Sequence, residues 1–184
     1  MVKLYNIDIK VKNGVFPPLA SSKIILKNLP NVKNKTVLDV GCGTGIIGIY
    51  CALRGAKKVF SVDIDDNAVI NTNENIKENK VEKIVSVKKS DLFENVKSKY
   101  DYIFANLPID DKAWDLSLST INLMKKFLNN CSDYLKKSGK VYFSWFSNSG
   151  VEKIIAFLDS KSMDYSTITK NLPNKTLYLF IVKI

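Results

Sequence analysis

Residues 36–48 read Thr-Val-Leu-Asp-Val-Gly-Cys-Gly-Thr-Gly-Ile-Ile-Gly, and no other stretch narrows the possible folds of this chain so far. Val37 to Val40 is a short apolar run of the kind that makes a buried strand. It stops at Gly41-Cys42-Gly43-Thr44-Gly45 and resumes as Ile46, Ile47, Ile49 and Tyr50, an apolar helical face. Strand, glycine loop and helix in succession is the context in which a Gly-rich motif receives a nucleotide-like ligand. Glycines there let the backbone turn tightly and approach the ligand with no Cβ in the way.

Around this unit, apolar strand runs alternate with amphipathic helical runs, which predicts an α/β, Rossmann-like, doubly wound sheet. Strands are expected at Thr36–Val40, Lys58–Asp63, Lys83–Lys88, Tyr100–Ala105, Lys140–Phe146, Asp164–Thr169 and Thr176–Lys183. Helices are expected at Leu19–Lys27, Gly45–Arg54, Asp66–Glu78, Leu118–Leu135 and Gly150–Ser160. Gly55 reads as a C-cap, and Gly139 as the stop after the fourth helix. Asn171-Leu172-Pro173-Asn174 is a turn that leaves no room for a helix, so the last two strands form an antiparallel hairpin. The alternating segment Leu4–Val11 predicts an extra N-terminal strand. A length of 184 residues suits one domain over 1–184, with 1–30 as N-terminal strand and covering helix and 31–184 as a seven-stranded, mostly parallel core.

Composition removes several classes. No run of about 18 apolar residues is present, so no membrane partner is expected. The three cysteines have no C-x-x-C spacing and there is no histidine, which argues against a zinc site, any other metal site and a disulfide framework. A reducing cytoplasmic location follows. The missing histidine also speaks against a Ser-His-Asp hydrolase. The net charge of +10 comes almost wholly from lysine, Arg54 being the one arginine. Nucleic-acid readers favour arginine for bidentate contacts. Both a basic nucleic-acid surface and the Lys/Asn/Ile coding bias of an AT-rich genome account for that charge.

Two ligand readings fit the glycine loop. Gly43, Gly45 and Gly48 satisfy G-x-G-x-x-G, and Asp63 lies 20 positions beyond Gly43, as a dinucleotide fingerprint requires. Asp39, two residues before the loop, has no place in that fingerprint, and no second domain for hydride chemistry is evident. The string V-L-D-x-G-C-G-T-G resembles the first motif of class I S-adenosylmethionine-dependent methyltransferases. The resemblance covers roughly residues 15–146 and implies S-adenosylmethionine as cofactor, held by Asp39, Gly41, Cys42, Gly43 and Gly45.

Ligands of open α/β sheets sit at the carboxyl ends of the strands. After the second strand, the Asp63 carboxylate can accept hydrogen bonds from both ribose hydroxyls, and Ile64 can touch the adenine. Asp65 and Asp66 read as caps of the next helix. After the third strand, the resemblance implies that Asp91 accepts from the adenine amino group and Leu92 packs on the ring. After the fourth, Asn106-Leu107-Pro108-Ile109 resembles the N-P-P-Y motif of enzymes that methylate planar nitrogens, including HemK-like enzymes acting on a glutamine amide. An NH₂ group presents two donors, so the site must supply two acceptors; the Asn106 side-chain oxygen and the Leu107 carbonyl qualify. Pro108 fixes the local backbone. Asn106, Leu107 and Pro108 are therefore the expected catalytic residues, with Asn106 also beside the cofactor.

This chain departs from the motif at Leu107, in place of a proline, and at Ile109, in place of the stacking aromatic. Trp114, or Phe16 from the Pro-rich segment Gly14–Pro18, could supply the missing ring, so Phe16, Ile109 and Trp114 are the expected substrate contacts. The expected reaction is methyl transfer to a nitrogen of a protein glutamine or a nucleic-acid base, with a small-molecule substrate as the alternative. An NAD-dependent oxidoreductase and a non-catalytic cofactor-binding partner subunit are the competing readings, and the oligomeric state stays open.

Overall fold

The computed structural model describes residues 2–109 and 119–183. The apolar run of the opening motif forms strand β3 (Thr36–Val40), at the middle of a seven-stranded sheet. On one side lie β4 (Lys58–Asp63) and β5 (Val85–Lys89), and on the other β6 (Tyr100–Ala105) and β7 (Leu135–Phe146). These five strands are parallel. β8 (Asp164–Leu172) and β9 (Lys175–Lys183) form the expected antiparallel hairpin, with β9 inserted between β7 and β8. The order is β5-β4-β3-β6-β7-β9-β8. Because chain direction across the sheet reverses at β3 and β6, the crevice between their carboxyl ends is the natural ligand position.

Helices cover both faces. α1 (Ala20–Lys27), α2 (Ile46–Leu53) and α3 (Asp66–Glu78) pack over one face, through Ile25, Ile49 and Ile76 against Val37, Val59 and Phe104. α4 (Thr120–Asn130) and α5 (Val151–Ser160) pack over the other, through Phe127 and Leu158 against Leu38, Ile103 and Phe143. The alternation of a strand sends odd and even residues to opposite faces. Asp39, Asn106 and Ser144 thereby point toward the α1 side, Trp145 is buried on the other, and Phe146, at the end of β7, packs against both cores.

Three expectations change. Leu4–Val11 is not one strand: β1 (Val2–Leu4) and β2 (Ile7–Ile9) form a separate two-stranded hairpin. Its two turn residues, Tyr5 (φ 52°) and Asn6 (φ 63°), both take the left-handed conformation that a two-residue hairpin turn demands. The fourth helix ends at Asn130 and continues only as a 3₁₀ turn, Cys131–Tyr134. Gly139 does not cap it but sits in β7, in a bulge between the pairs Tyr100–Leu135 and Tyr102–Lys140. Ser138 there has φ 66°, and a Cβ on Gly139 would lie 2.8 Å from the Leu135 side chain. The expected first residue of that helix, Leu118, lies outside the described residues. Among the described residues no helix is long and apolar enough to cross a membrane.

Candidate active site

The glycine loop is held in place before any ligand is considered. Gly41 and Cys42 N–H groups donate to the Val62 carbonyl at 2.9 and 3.1 Å. Gly41 (φ 69°) lies against the next strand end: a Cβ there would stand 2.8 Å from Leu107 Cδ2. Gly45 (φ 78°) starts α2, and a Cβ there would stand 2.8 Å from Thr72 Cγ2. Gly43 (φ 54°) has nothing within 4 Å of its missing Cβ, so its backbone faces open space. The Cys42 thiol turns inward to Thr72 Oγ1 at 3.3 Å, and burial pushes its pKa well up. Cys42 therefore meets the site through its backbone and packs with its side chain.

Asp39 is fully buried behind the loop. Its Oδ2 accepts from the Gly48 N–H at 3.1 Å, whereas Oδ1 has no partner among the described residues. Desolvation raises its pKa from 3.8 to about 7, partly opposed by the Gly48 N–H and reinforced by the Asp63 charge. Its neighbour across β3 and β4, Ser61, also has an unpartnered hydroxyl.

Asp63 accepts from the Gly43 N–H at 2.9 Å through Oδ2 and from the Asp65 N–H at 3.1 Å through Oδ1. Burial raises its pKa, and these two N–H groups pull it back. Each oxygen retains a lone pair toward the cavity. Asp65 caps α3 by accepting from the Asn67 N–H at 2.9 Å, as expected. Asp66 instead starts the helix and pairs with Lys89 at 2.6 Å. Asp91 accepts from Lys126 Nζ of α4 at 2.7 Å, and Leu92 is buried with φ 46°. Ile64 stands 62% exposed at the cavity edge.

Asn106 lies between two hydroxyls. Its Nδ2 donates to Ser22 Oγ of α1 at 3.1 Å, and its Oδ1 accepts from Ser144 Oγ of β7 at 3.2 Å. Leu107 and Ile109 are buried, Leu107 beneath the glycine loop and Ile109 in the core on the α4 side. All of these strand ends open into one cavity of about 690 Å³, a size suited to a nucleotide-like ligand. Gly14–Ser22 forms its roof, and Phe16 there is 47% exposed. Trp114 lies outside the described residues.

Sequence reading missed how the roof is fastened. α3 presents a buried polar stripe, Asn71, Thr72, Asn75, continued by Asn79 at the helix end. Asn75 takes the Lys10 N–H on Oδ1 and donates to the Lys10 and Thr44 carbonyls, all at 2.9 Å. Asn71 accepts from the Lys12 N–H at 2.9 Å, and Thr72 donates to the Gly43 carbonyl at 2.9 Å. Amide side chains at i and i+4 on one helix face are the signal that could have found this clamp. Lys126, Ser22, Phe146 and Lys175 were likewise missed as cavity residues, and Ser144 as a partner of Asn106.

Residues 6–171 match the family profile described as "Methyltransferase small domain". The chain belongs to this family. This methyltransferase is 38% identical, over 84% of each chain, to a Methanocaldococcus jannaschii protein whose name proposes a protein N5-glutamine methyltransferase. It is 47% identical over 75 residues to a ribosomal protein L11 methyltransferase of Alkaliphilus oremlandii, spanning only 24% of that protein. In three dimensions it resembles a ribosomal protein L11 methylase of Lactobacillus delbrueckii (TM-score 0.69, 25% identity, 88% of this chain and 76% of that one). A Pyrococcus furiosus methyltransferase shares the fold (TM-score 0.74, 17% identity, 97% and 90% covered). The enzyme is an S-adenosylmethionine-dependent methyltransferase, and the nicotinamide reading falls with that assignment.

Proposed function

We propose that this methyltransferase places S-adenosylmethionine against the glycine loop and methylates the side-chain amide nitrogen of a protein glutamine. The observation that carries the reading is Asn106, held at a strand carboxyl end between Ser22 and Ser144 and opening into the same cavity as Gly41–Thr44. The name of the M. jannaschii relative supports the amide as acceptor.

The residues present suit the cofactor. The open Cβ side of Gly43 leaves backbone, not side chain, along the cavity wall there. Asp63, already oriented by two N–H groups, has lone pairs for ribose hydroxyls. Asp91, drawn toward Lys126, has a second oxygen for the adenine amino group, with Leu92 and Ile64 beside the ring. Bound S-adenosylmethionine supplies an electrophilic methyl carbon whose leaving thioether is neutral.

The protein's own contribution is orientation. Asn106 Oδ1 and the Leu107 carbonyl accept the two N–H bonds of the acceptor amide, which fixes its plane, and the proton that the nitrogen loses on gaining the methyl group leaves along one of these hydrogen bonds to solvent. Ser144 and Ser22 hold the Asn106 amide so that it does not swing. Pro108 stiffens the backbone just beyond.

The test is tritiated methyl transfer into extract protein, followed by hydrolysis and identification of the labelled amino acid. N5-methylglutamine is expected. Asn106→Ala should lower kcat by about 100-fold while S-adenosylmethionine still binds. Label confined to RNA, or Asn106→Ala turning over normally, refutes the reading.

A further inference from the structure

Ile109 stands where the related motif carries an aromatic ring; it is largely buried and lines the cavity with an aliphatic side chain. Among the described residues, the cavity contains two aromatic rings, Phe16 and Phe146. They sit on different kinds of backbone. Phe16 comes from a segment outside regular secondary structure. Phe146 ends β7, two residues beyond Ser144, whose hydroxyl touches Asn106. Strand alternation sends Ser144 and Phe146 to the same face, with Phe146 one step further toward the carboxyl edge. The Phe146 ring thus lines the same cavity as Asn106, two residues further along β7 than the Ser144 that touches the amide.

The ring is also held. Lys175 Nζ lies 3.8 Å from its centroid, a direct cation–π contact. Lys175 is the first residue of β9, and its neighbour Thr176 donates its N–H to Ser147 Oγ at 2.9 Å. Leu177 pairs with Phe146 across the strands. The start of β9 is therefore pinned to the end of β7, which sets the lysine over the ring. Phe146 and Lys175 are both half-buried and both face the cavity with Asn106 and Pro108.

We propose that Phe146, backed by Lys175, is the platform on which the planar acceptor amide is laid, taking the place of the ring lost at Ile109. This rests on the acceptor reading above. It adds which surface holds the amide plane while Asn106 and Leu107 take its N–H groups. The amide is planar through conjugation, so a flat face-to-face contact aligns its nitrogen without a covalent or charged partner. Lys175 contributes by fixing the ring and by keeping two further N–H donors for polar groups of the acceptor chain.

Acetylated, amidated glutaminyl peptide is the probe, with S-adenosylmethionine affinity measured in parallel by calorimetry. Phe146→Leu keeps apolar volume and removes the plane; it should raise the peptide KM by about fivefold to tenfold, leaving cofactor affinity unchanged. Phe146→Tyr should restore KM to within about twofold of wild type, because stacking depends on the ring. Lys175→Met should raise KM in the same direction. Phe146→Leu with unchanged KM, or with cofactor affinity lost in equal measure, overturns the platform. So does Phe16→Ala reproducing the effect while Phe146→Leu does not. If the wild-type enzyme labels RNA and not the peptide, the glutamine reading fails, and the same Leu/Tyr comparison on that RNA decides the platform separately. Label in neither overturns both.

Discussion

Asp39→Asn should make the protein more stable at pH 8 and leave it nearly unchanged at pH 4. The wild-type carboxyl is fully buried with one N–H partner, and burial carries its pKa from 3.8 to about 7. Between those values the unfolded chain releases its proton before the folded one does. The native state then binds more protons, so stability falls as pH rises from about 4 to about 7 and levels off above that. A difference of about 3 pH units at 1.36 kcal/mol each amounts to about 4 kcal/mol. Asparagine has nearly the same shape and does not titrate. Its oxygen can accept from the Gly48 N–H in place of the carboxylate's Oδ2. The assay is urea unfolding of both proteins from pH 4 to 8, read as the difference in stability at each pH. Taking the difference cancels Asp63, whose pKa is also raised, along with every other shared group. Parallel profiles, or a variant less stable than wild type at pH 8, would refute the reasoning.

Three further outcomes follow from the geometry. Gly41→Ala forces a Cβ to within 2.8 Å of Leu107 Cδ2 at φ 69°, and should cost about 1–2 kcal/mol from the backbone alone, measured as a lowered urea midpoint. Asn75→Ala orphans the Lys10 N–H and the Thr44 carbonyl and leaves the Lys10 carbonyl to Asn71 alone, should cost about 2–3 kcal/mol, and should speed proteolytic cleavage within residues 8–18. Asp63→Ala frees the Gly43 N–H and removes the carboxylate proposed to accept from the ribose, so calorimetry should show S-adenosylmethionine affinity reduced by about tenfold to a hundredfold.

Legibility tracked the range of the forces involved. β3, β4, β6 and α3 fall where apolar period and end signals place them, because each is set by neighbours within a few residues. The N-terminal hairpin was not legible, since Leu4–Val11 alternates like one strand and the turn puts Tyr5, unlike the tolerant Asn6, in a conformation rare for its residue type. Tyr5 is compensated by its ring against Tyr50, 5.3 Å away, a partner 45 positions off. The bulge at Ser138–Gly139 was likewise hidden: Lys-Lys-Ser-Gly reads locally as a helix stop, and only pairing of β7 with β6 makes it part of a strand.

The sequence alone determined the glycine loop, the strand ends and the carboxylates standing at them, because backbone freedom and residue chemistry at those points are local properties. Only the tertiary structure decided what surrounds them. It joined Asp91 to Lys126, set Asn106 between Ser22 and Ser144, and brought Phe146 with Lys175 over the same cavity. These partners lie from 29 to 84 positions apart in the chain, and the sheet order that unites them is set by burial of both faces at once, which no local window contains.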